Sequence, residues 1–262
     1  EIGEPVILAH RGGGDEHPEN TIVAFEAMRD QGFRYVETDC HVTADGTAVI
    51  IHDPILDRLT DASGAVSSWA WKDLRHVRDH SGNPLVRLDD LLEEFPDLIF
   101  NLDAKNNATA PAMVAAIRRQ NAAHRVSLAS FSEVRLAWMR RRLPGVRSSM
   151  GTSAIARLVV AAKGPRALAY RLPGPERGVE CVQVPELFKT IQVVDEKFIA
   201  LAHARGLAVH VWTVNDADDM RRALELGVDG LITDRPTLAR SVIDQCGAGR
   251  TSRRACCSAG IA

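Results

Sequence analysis

Short apolar runs rich in β-branched residues alternate along the chain with stretches of helical periodicity, the pattern of βα units around a parallel sheet. Eight such runs stand out, at 6–9, 35–42, 98–105, 125–131, 146–152, 181–185, 208–215 and 230–234. Eight parallel strands with helices between them predict an α/β domain folded as a (β/α)8 barrel. Between strands, the stretch 21–31 sets Ile22, Phe25 and Met28 near helical spacing, and 218–226 does the same with Met220, Ala223 and Leu224. Asn20 and Asp216 precede these two helices as N-caps, and Gly32, Gly206 and Gly227 close three helical patterns.

One stretch breaks the rhythm. After the second strand, Thr43-Ala44-Asp45-Gly46 reads as a tight turn returning through 47–52. Residues 54–96 then form a loop-rich insertion of about forty residues, too long for an ordinary βα loop. A barrel keeps its active site at the C-terminal strand ends, so an insertion here is expected to act as a lid or specificity element. The small, polar and basic segment 246–262 is expected to lie outside the barrel, which then occupies 1–245.

Composition adds mainly exclusions. A chain of 262 residues, 45% hydrophobic and 25% charged, suits one large α/β domain. The formal net charge of -2 supplies no global attraction to nucleic acid or an anionic membrane, so any anion binding must be local. Five cysteines without a C-x-x-C pair argue against a disulfide framework and a structural zinc site, and favour a reducing cytoplasm, with secretion the open alternative. No window approaches the roughly 18 consecutive apolar residues of a membrane-spanning helix, so stable membrane insertion is not expected.

The polar residues that interrupt the apolar strands gather at the strand ends: His10 and Arg11, Glu37 and Asp39, His52, Asp103 and Lys105, and Trp212. Glu37 and Asp39 are two apart, as are Asp103 and Lys105, so each pair shares one face of its strand. A single strand carboxylate commonly pairs with a cation, here Arg11, Arg34 or Lys105. Three converging carboxylates beside two histidines point instead to a hard divalent cation, Ca²⁺ or Mg²⁺. His10 and His52 are the candidate acid–base pair, since histidine can take or give a proton near neutrality. Arg11 and Lys105 can neutralise phosphate oxygens, Arg as a planar fork and Lys as a point charge. Gly12-Gly13-Gly14 either brings backbone N–H groups to an anion or forms a tight turn. The remaining histidines are expected to be surface or core residues, although His41 follows Asp39 by two and shares its strand face.

These residues fall in ordered blocks that resemble the glycerophosphodiester phosphodiesterase family. The blocks are His10-Arg11-Gly12, Pro18-Glu19-Asn20-Thr21, Val36-Glu37-Thr38-Asp39, Thr43-Ala44-Asp45-Gly46 with His52-Asp53, Asn101-Leu102-Asp103-Ala104-Lys105, Trp212-Thr213-Val214-Asn215, and the stretch 227–236. The resemblance covers 6–237 and implies a TIM barrel. It further implies a divalent metal held by Glu37, Asp39 and Asp103, and acid–base histidines at His10 and His52. The implied reaction is hydrolysis of small glycerophosphodiesters to glycerol 3-phosphate and an alcohol. Glu19 and Trp212 fall in the family's blocks as further substrate-side positions. At one position the chain departs from the family, which usually has glutamate where Asp103 stands; the shorter side chain is similar to that of the related sphingomyelinase D type phospholipases. Two other readings are a lysophospholipase D-like activity with an apolar entrance built by Trp69, Trp71 and Trp212, and a silent barrel that only binds phosphoesters.

Overall fold

A computed structural model describes residues 4–164 and 171–258. From the N-terminus the elements run β1 (Val6–His10), α1 (Ile22–Asp30), β2 (Tyr35–Val42), β3 (Ala48–Ile50), α2 (Trp71–Leu74), β4 (Val86–Arg87), α3 (Leu88–Glu94), β5 (Ile99–Ala104) and α4 (Thr109–Arg119). The chain continues through β6 (Val126–Ala129), α5 (Glu133–Arg140), β7 (Arg147–Ser149), α6 (Thr152–Lys163), β8 (Val179–Val184), β9 (Leu187–Phe188) and β10 (Ile191–Gln192). It ends with α7 (Glu196–Ala204), β11 (Ala208–Val211), α8 (Ala217–Leu226), β12 (Gly230–Thr233) and α9 (Pro236–Ser258).

All eight predicted runs become strands of one parallel sheet, in the order β1, β12, β11, β8, β7, β6, β5, β2. Pairing of β1 with β2, His10 opposite Glu37, closes it into the (β/α)8 barrel. Period-two alternation explains why the strands read as apolar runs broken by polar residues. Val36, Phe100, Leu102 and Val126 face outward into the layer beneath the helices, while the residues between them face the lumen. Phe25 of α1, Phe95 after α3 and Phe100 of β5 meet edge to face there, with ring centroids 5.9 to 6.4 Å apart. A second outer cluster, around Phe198, Val182 and Leu231, serves the other half of the barrel.

The helix ends follow local chemistry, with one adjustment. Thr21 rather than Asn20 caps α1, its hydroxyl accepting from the Ala24 N–H at 3.1 Å. Asn20 adopts φ 60° instead and turns its side chain inward, accepting from the Thr38 hydroxyl at 2.6 Å. Asp216 caps α8 and Gly227 ends it at φ 93°, as expected.

The excursion after β2 is built in two parts. β3 pairs antiparallel with β2, and β4 with β3. Between them the loops enclose a small core of their own, Val49, Ile51, Leu56, Val66, Leu74 and Val77, with Trp69 and Trp71 packed against it. Residues 88–95 behave differently: Leu88, Leu91, Leu92 and Phe95 enter the main core, so this end of the segment is a barrel helix. The C-terminal helix α9 carries the backbone of the expected tail on to Ser258; residues 259–262 lie outside the described residues. Among the described residues, no helix is long and apolar enough to cross a membrane.

Because the Phe25, Phe95 and Phe100 rings are fully buried, Phe25→Ala leaves a cavity that its neighbours cannot fill. The expected loss is about 3–5 kcal/mol of unfolding free energy, measured by urea titration against the unsubstituted protein.

Candidate active site

Every residue singled out at the strand ends except His52 comes from the barrel strands or the loops directly after them, and His52 is carried in by the β3 return. Glu37, Asp39 and Asp103 are 7%, 2% and 7% exposed. Lys105 Nζ sits between two of them, 2.6 Å from Asp39 Oδ1 and 2.8 Å from Asp103 Oδ2. Arg11 Nε lies 3.4 Å from Asp39 Oδ2. The cation partners expected of a lone strand carboxylate are thus present for two of the three; Arg34 is not among them.

These contacts set the protonation pattern. Burial and the neighbouring Asp39 push the Glu37 carboxyl up to about 8. Burial would raise Asp39 too, but the charge and hydrogen bond of Lys105 outweigh it and hold the group below the usual carboxylate range. Desolvation disfavours charged Lys105, yet Asp103 and Asp39 more than compensate, so its pKa is raised. One oxygen of each carboxylate, Glu37 Oε2, Asp39 Oδ2 and Asp103 Oδ1, is buried without a hydrogen bond. Among the described residues, no group of three or more His, Cys, Asp or Glu side chains is preassembled as a metal cage. The orphaned oxygens are nevertheless the donors a hard cation takes.

Both histidines are anchored through Nδ1 to a carboxylate. His10 Nδ1 is 2.6 Å from Asp234 Oδ1, and its Nε2 faces Glu37 Oε2 at 3.8 Å. Asp234 is fixed in turn by Asn215, whose Nδ2 donates to Oδ2 at 2.7 Å. Burial alone would lower the His10 pKa, but the Asp234 hydrogen bond and the charges of Glu37 and Asp234 reverse the sign. His52 Nδ1 is 2.7 Å from Asp53 Oδ1. Its carbonyl accepts from His41 Nε2 at 3.1 Å, so His41 supports the loop that presents His52.

Glu19 is shared by two arginines. Arg11 Nη1 approaches its oxygens at 3.2 and 3.3 Å, and Arg58 of the insertion grips it bidentately at 2.8 and 3.0 Å while also bonding Asp53. Trp212 stands at the mouth with its ring 6.2 Å from that of Phe131, edge to face. Trp69 and Trp71 do not join it; they pack on the insertion's own core, so the three-tryptophan entrance is not formed. Nor does the glycine run present its N–H groups to an anion. Gly12 donates to the Ala9 carbonyl and Gly13 and Gly14 to that of His10, which makes the run a tight turn. At Gly12, φ is +81° and a Cβ would come within 2.8 Å of the Ala24 Cβ, so the turn also sets how closely α1 approaches. A cavity of about 190 Å³ lies to one side between the start of α1 and the insertion, with Glu19 of the site in its lining.

Asp234, Asn215, Asp53 and Arg58 are the residues whose roles sequence reasoning left blank. All four lie in or beside blocks already noted, Asp53 directly after His52 and Asp234 at the end of the last strand. Their function depends on which histidine they meet, which only the closed barrel decides.

A barrel with carboxylates, cations and two carboxylate-anchored histidines converging at its C-terminal mouth defines a TIM-barrel enzyme for an anionic substrate. The model of the glycerophosphoryl diester phosphodiesterase family matches residues 10–238, and the chain belongs to that family. A Mycobacterium tuberculosis protein named probable glycerophosphodiester phosphodiesterase 2 is 39% identical over 92% of this chain and 91% of its own length. A lysophospholipase D of Homo sapiens is 24% identical, over 90% of this chain and 85% of that one. The fold is shared with a glycerophosphodiester phosphodiesterase from Agrobacterium tumefaciens, at 23% identity, 90% and 99% coverage and a TM-score of 0.71. It is shared also with an Oleispira antarctica phosphodiesterase solved with sn-glycerol-3-phosphate, at 24% identity, 92% and 97% coverage and a TM-score of 0.77.

Asp234→Asn removes the charge that raises the His10 pKa, so a lower His10 pKa is expected by NMR titration of its ring protons, with kcat reduced about 10²-fold. The pair also contributes to stability below the ordinary histidine pKa. That contribution fades as pH rises through the raised value, and denaturation at several pH values will show a smaller slope in the variant.

Proposed function

We propose that the chain is a metal-dependent glycerophosphodiester phosphodiesterase releasing glycerol 3-phosphate and an alcohol. The observation that carries this reading is the pairing of each histidine with its own carboxylate, on either side of one acidic and cationic cluster. A barrel that merely bound phosphoesters would need the cations but no such pair. The names of the relatives agree, and so does the product held by the Oleispira antarctica protein.

Glu37, Asp39 and Asp103 would hold the cation, since each has a buried oxygen without a partner and an all-oxygen donor set suits Ca²⁺ or Mg²⁺. When bound, such an ion supplies Lewis-acid polarisation of a phosphate oxygen. Arg11 and Lys105 neutralise the remaining phosphate charge as it develops. One histidine takes the proton from the neighbouring glycerol hydroxyl as its oxygen bonds to phosphorus. The other donates a proton to the departing alcohol as the old P–O bond breaks. Water then opens the resulting cyclic phosphate with the two roles exchanged. Glu19, held between Arg11 and Arg58, joins the insertion to the phosphate side of the mouth.

Chelation, or Glu37→Ala, Asp39→Ala or Asp103→Ala, is expected to abolish turnover of glycerophosphocholine while circular dichroism reports an intact barrel. Full activity in chelator would end the metal reading. His10→Ala and His52→Ala are each expected to lower kcat by about 10²–10⁴-fold for a poor leaving alcohol. Only the variant lacking the general acid should recover on a p-nitrophenyl diester, whose leaving group departs without a proton.

A second reading, lysophospholipase D-like, is favoured by one feature. The hairpin formed by β9 and β10 extends from the C-terminal end of β8 with Leu187, Phe188 and Ile191 each more than half exposed, and Phe131 is exposed at the same mouth. Apolar side chains on that rim suit an acyl chain. If this reading holds, Phe188→Ser lowers kcat/KM on lysophosphatidylcholine at least about tenfold and spares glycerophosphocholine; equal rates on both substrates would dismiss it.

A further inference from the structure

Among the described residues, six of the nine buried side-chain nitrogen or oxygen atoms without a hydrogen bond belong to Glu37, Asp39, Asn101, Asp103, Gln183 and His210. All six residues face the barrel lumen. Val182, Val184, Val209 and Val211 pack outward beneath the helices, so strand alternation turns Gln183 and His210 inward. Phe100, Leu102 and Ala104 do the same for Asn101 and Asp103. Native proteins leave few buried polar atoms unpaired, and such a concentration in one compartment marks a place where something else completes the bonding.

Strand register shows how these atoms are stacked. Val6 lies opposite Gly230, Gly230 opposite His210, and His210 opposite Gln183. In an eight-stranded barrel of this type, a path across paired positions climbs by roughly one residue per strand. On that geometry Gln183 shares a layer with Glu37, from which it is separated by four strands in either direction, so the two stand on opposite walls. His210 shares the next layer down with Asn101, and Trp212 shares the layer above with His10 and Asp103. The Glu37 layer has two further members: Ile232, a buried aliphatic side chain, and Ala129, whose methyl group leaves the room between the walls on its own side.

The two walls differ in charge. One carries Glu37, Asp39, Asp103, Lys105 and Arg11. The other offers Gln183 Nε2, an amide donor; one layer below it the His210 ring lies over Gly230, near Asp229, and burial holds it down at about 4 and therefore neutral. Neutral donors and acceptors facing a charged phosphate site suit an uncharged hydroxyl.

We propose that the Gln183 amide, with the neutral His210 ring one layer beneath it, forms a hydroxyl-binding floor that takes the terminal hydroxyl of the substrate's glycerol arm, while the phosphate lies against the opposite wall. This rests on the phosphodiesterase reading and narrows it to deacylated diesters, because an acyl chain on that hydroxyl would be driven against unpaired polar groups.

The test compares glycerophosphocholine with 2-hydroxypropyl phosphocholine, which keeps the hydroxyl beside the phosphate and lacks the terminal one. The unsubstituted protein is expected to prefer the glycerol diester, and Gln183→Met, of equal length without the donor, to lower that preference about fivefold or more. A ratio of kcat/KM values measured on one preparation is independent of the folded fraction, so partial misfolding does not hide the outcome. An unchanged ratio, or a loss shared equally by both substrates, overturns the floor. If the unsubstituted protein cleaves neither diester, the phosphodiesterase reading fails first and the floor fails with it.

Discussion

The structure depends on the accommodation of three buried carboxylates in one barrel lumen. Charges so close and so poorly hydrated repel one another, and each would give up its charge unless something opposed it. Lys105 opposes two of them directly and Arg11 adds a more distant contact, while Glu37, buried beside Asp39, responds by holding its proton more tightly. Removing one cation from such a group leaves an unpaired buried charge, which is far more costly than losing a surface ion pair. The cluster is therefore a structural liability kept in place by its own cations, and it leaves oxygens free for a metal.

Around this cluster the histidines are held by short, separate chains of contacts. Asn215 and Asp234 fix His10 from the last strands, while Asp53 and His41 fix His52 from the β3 return. An Nδ1 bound to a carboxylate sets the tautomer, which under the proposed mechanism leaves the Nε2 of each ring to meet substrate. Arg58 ties the insertion into the same network through Asp53 and Glu19. The insertion has its own small core and meets the site by this electrostatic latch, an arrangement that lets loop sequence vary without disturbing the barrel.

The lumen divides into a charged wall and a neutral one. Under the proposed function, phosphate chemistry uses the first and selection among diesters the second, because charge alone attracts every phosphodiester equally. The apolar rim at Phe131 and the β9–β10 hairpin add a third kind of surface above both.

Much of this was legible in the sequence. Period-two alternation within apolar runs announced the eight strands, since lumen and helix-facing positions must differ in polarity, and the residues that broke the pattern at strand ends are those that converge at the barrel mouth. The ordered blocks from His10 to Pro236 pointed to the family, and the family model matches nearly the same span. Three things waited for the tertiary structure. The partnership of Asp234 with His10 spans 224 positions and exists only because β12 closes against β1. The tryptophans at 69 and 71 looked like an entrance because composition cannot tell an apolar side chain facing substrate from one packing on a private core. The proposed neutral floor was invisible for a related reason. Gln183 and His210 sit in short strands where one polar residue among valines is unremarkable, and the position of Gln183 opposite Glu37, with His210 opposite Asn101 one layer down, follows from barrel register, a property of the closed sheet rather than of any segment. Local pattern determined which residues could be chemical; ring closure decided which of them meet.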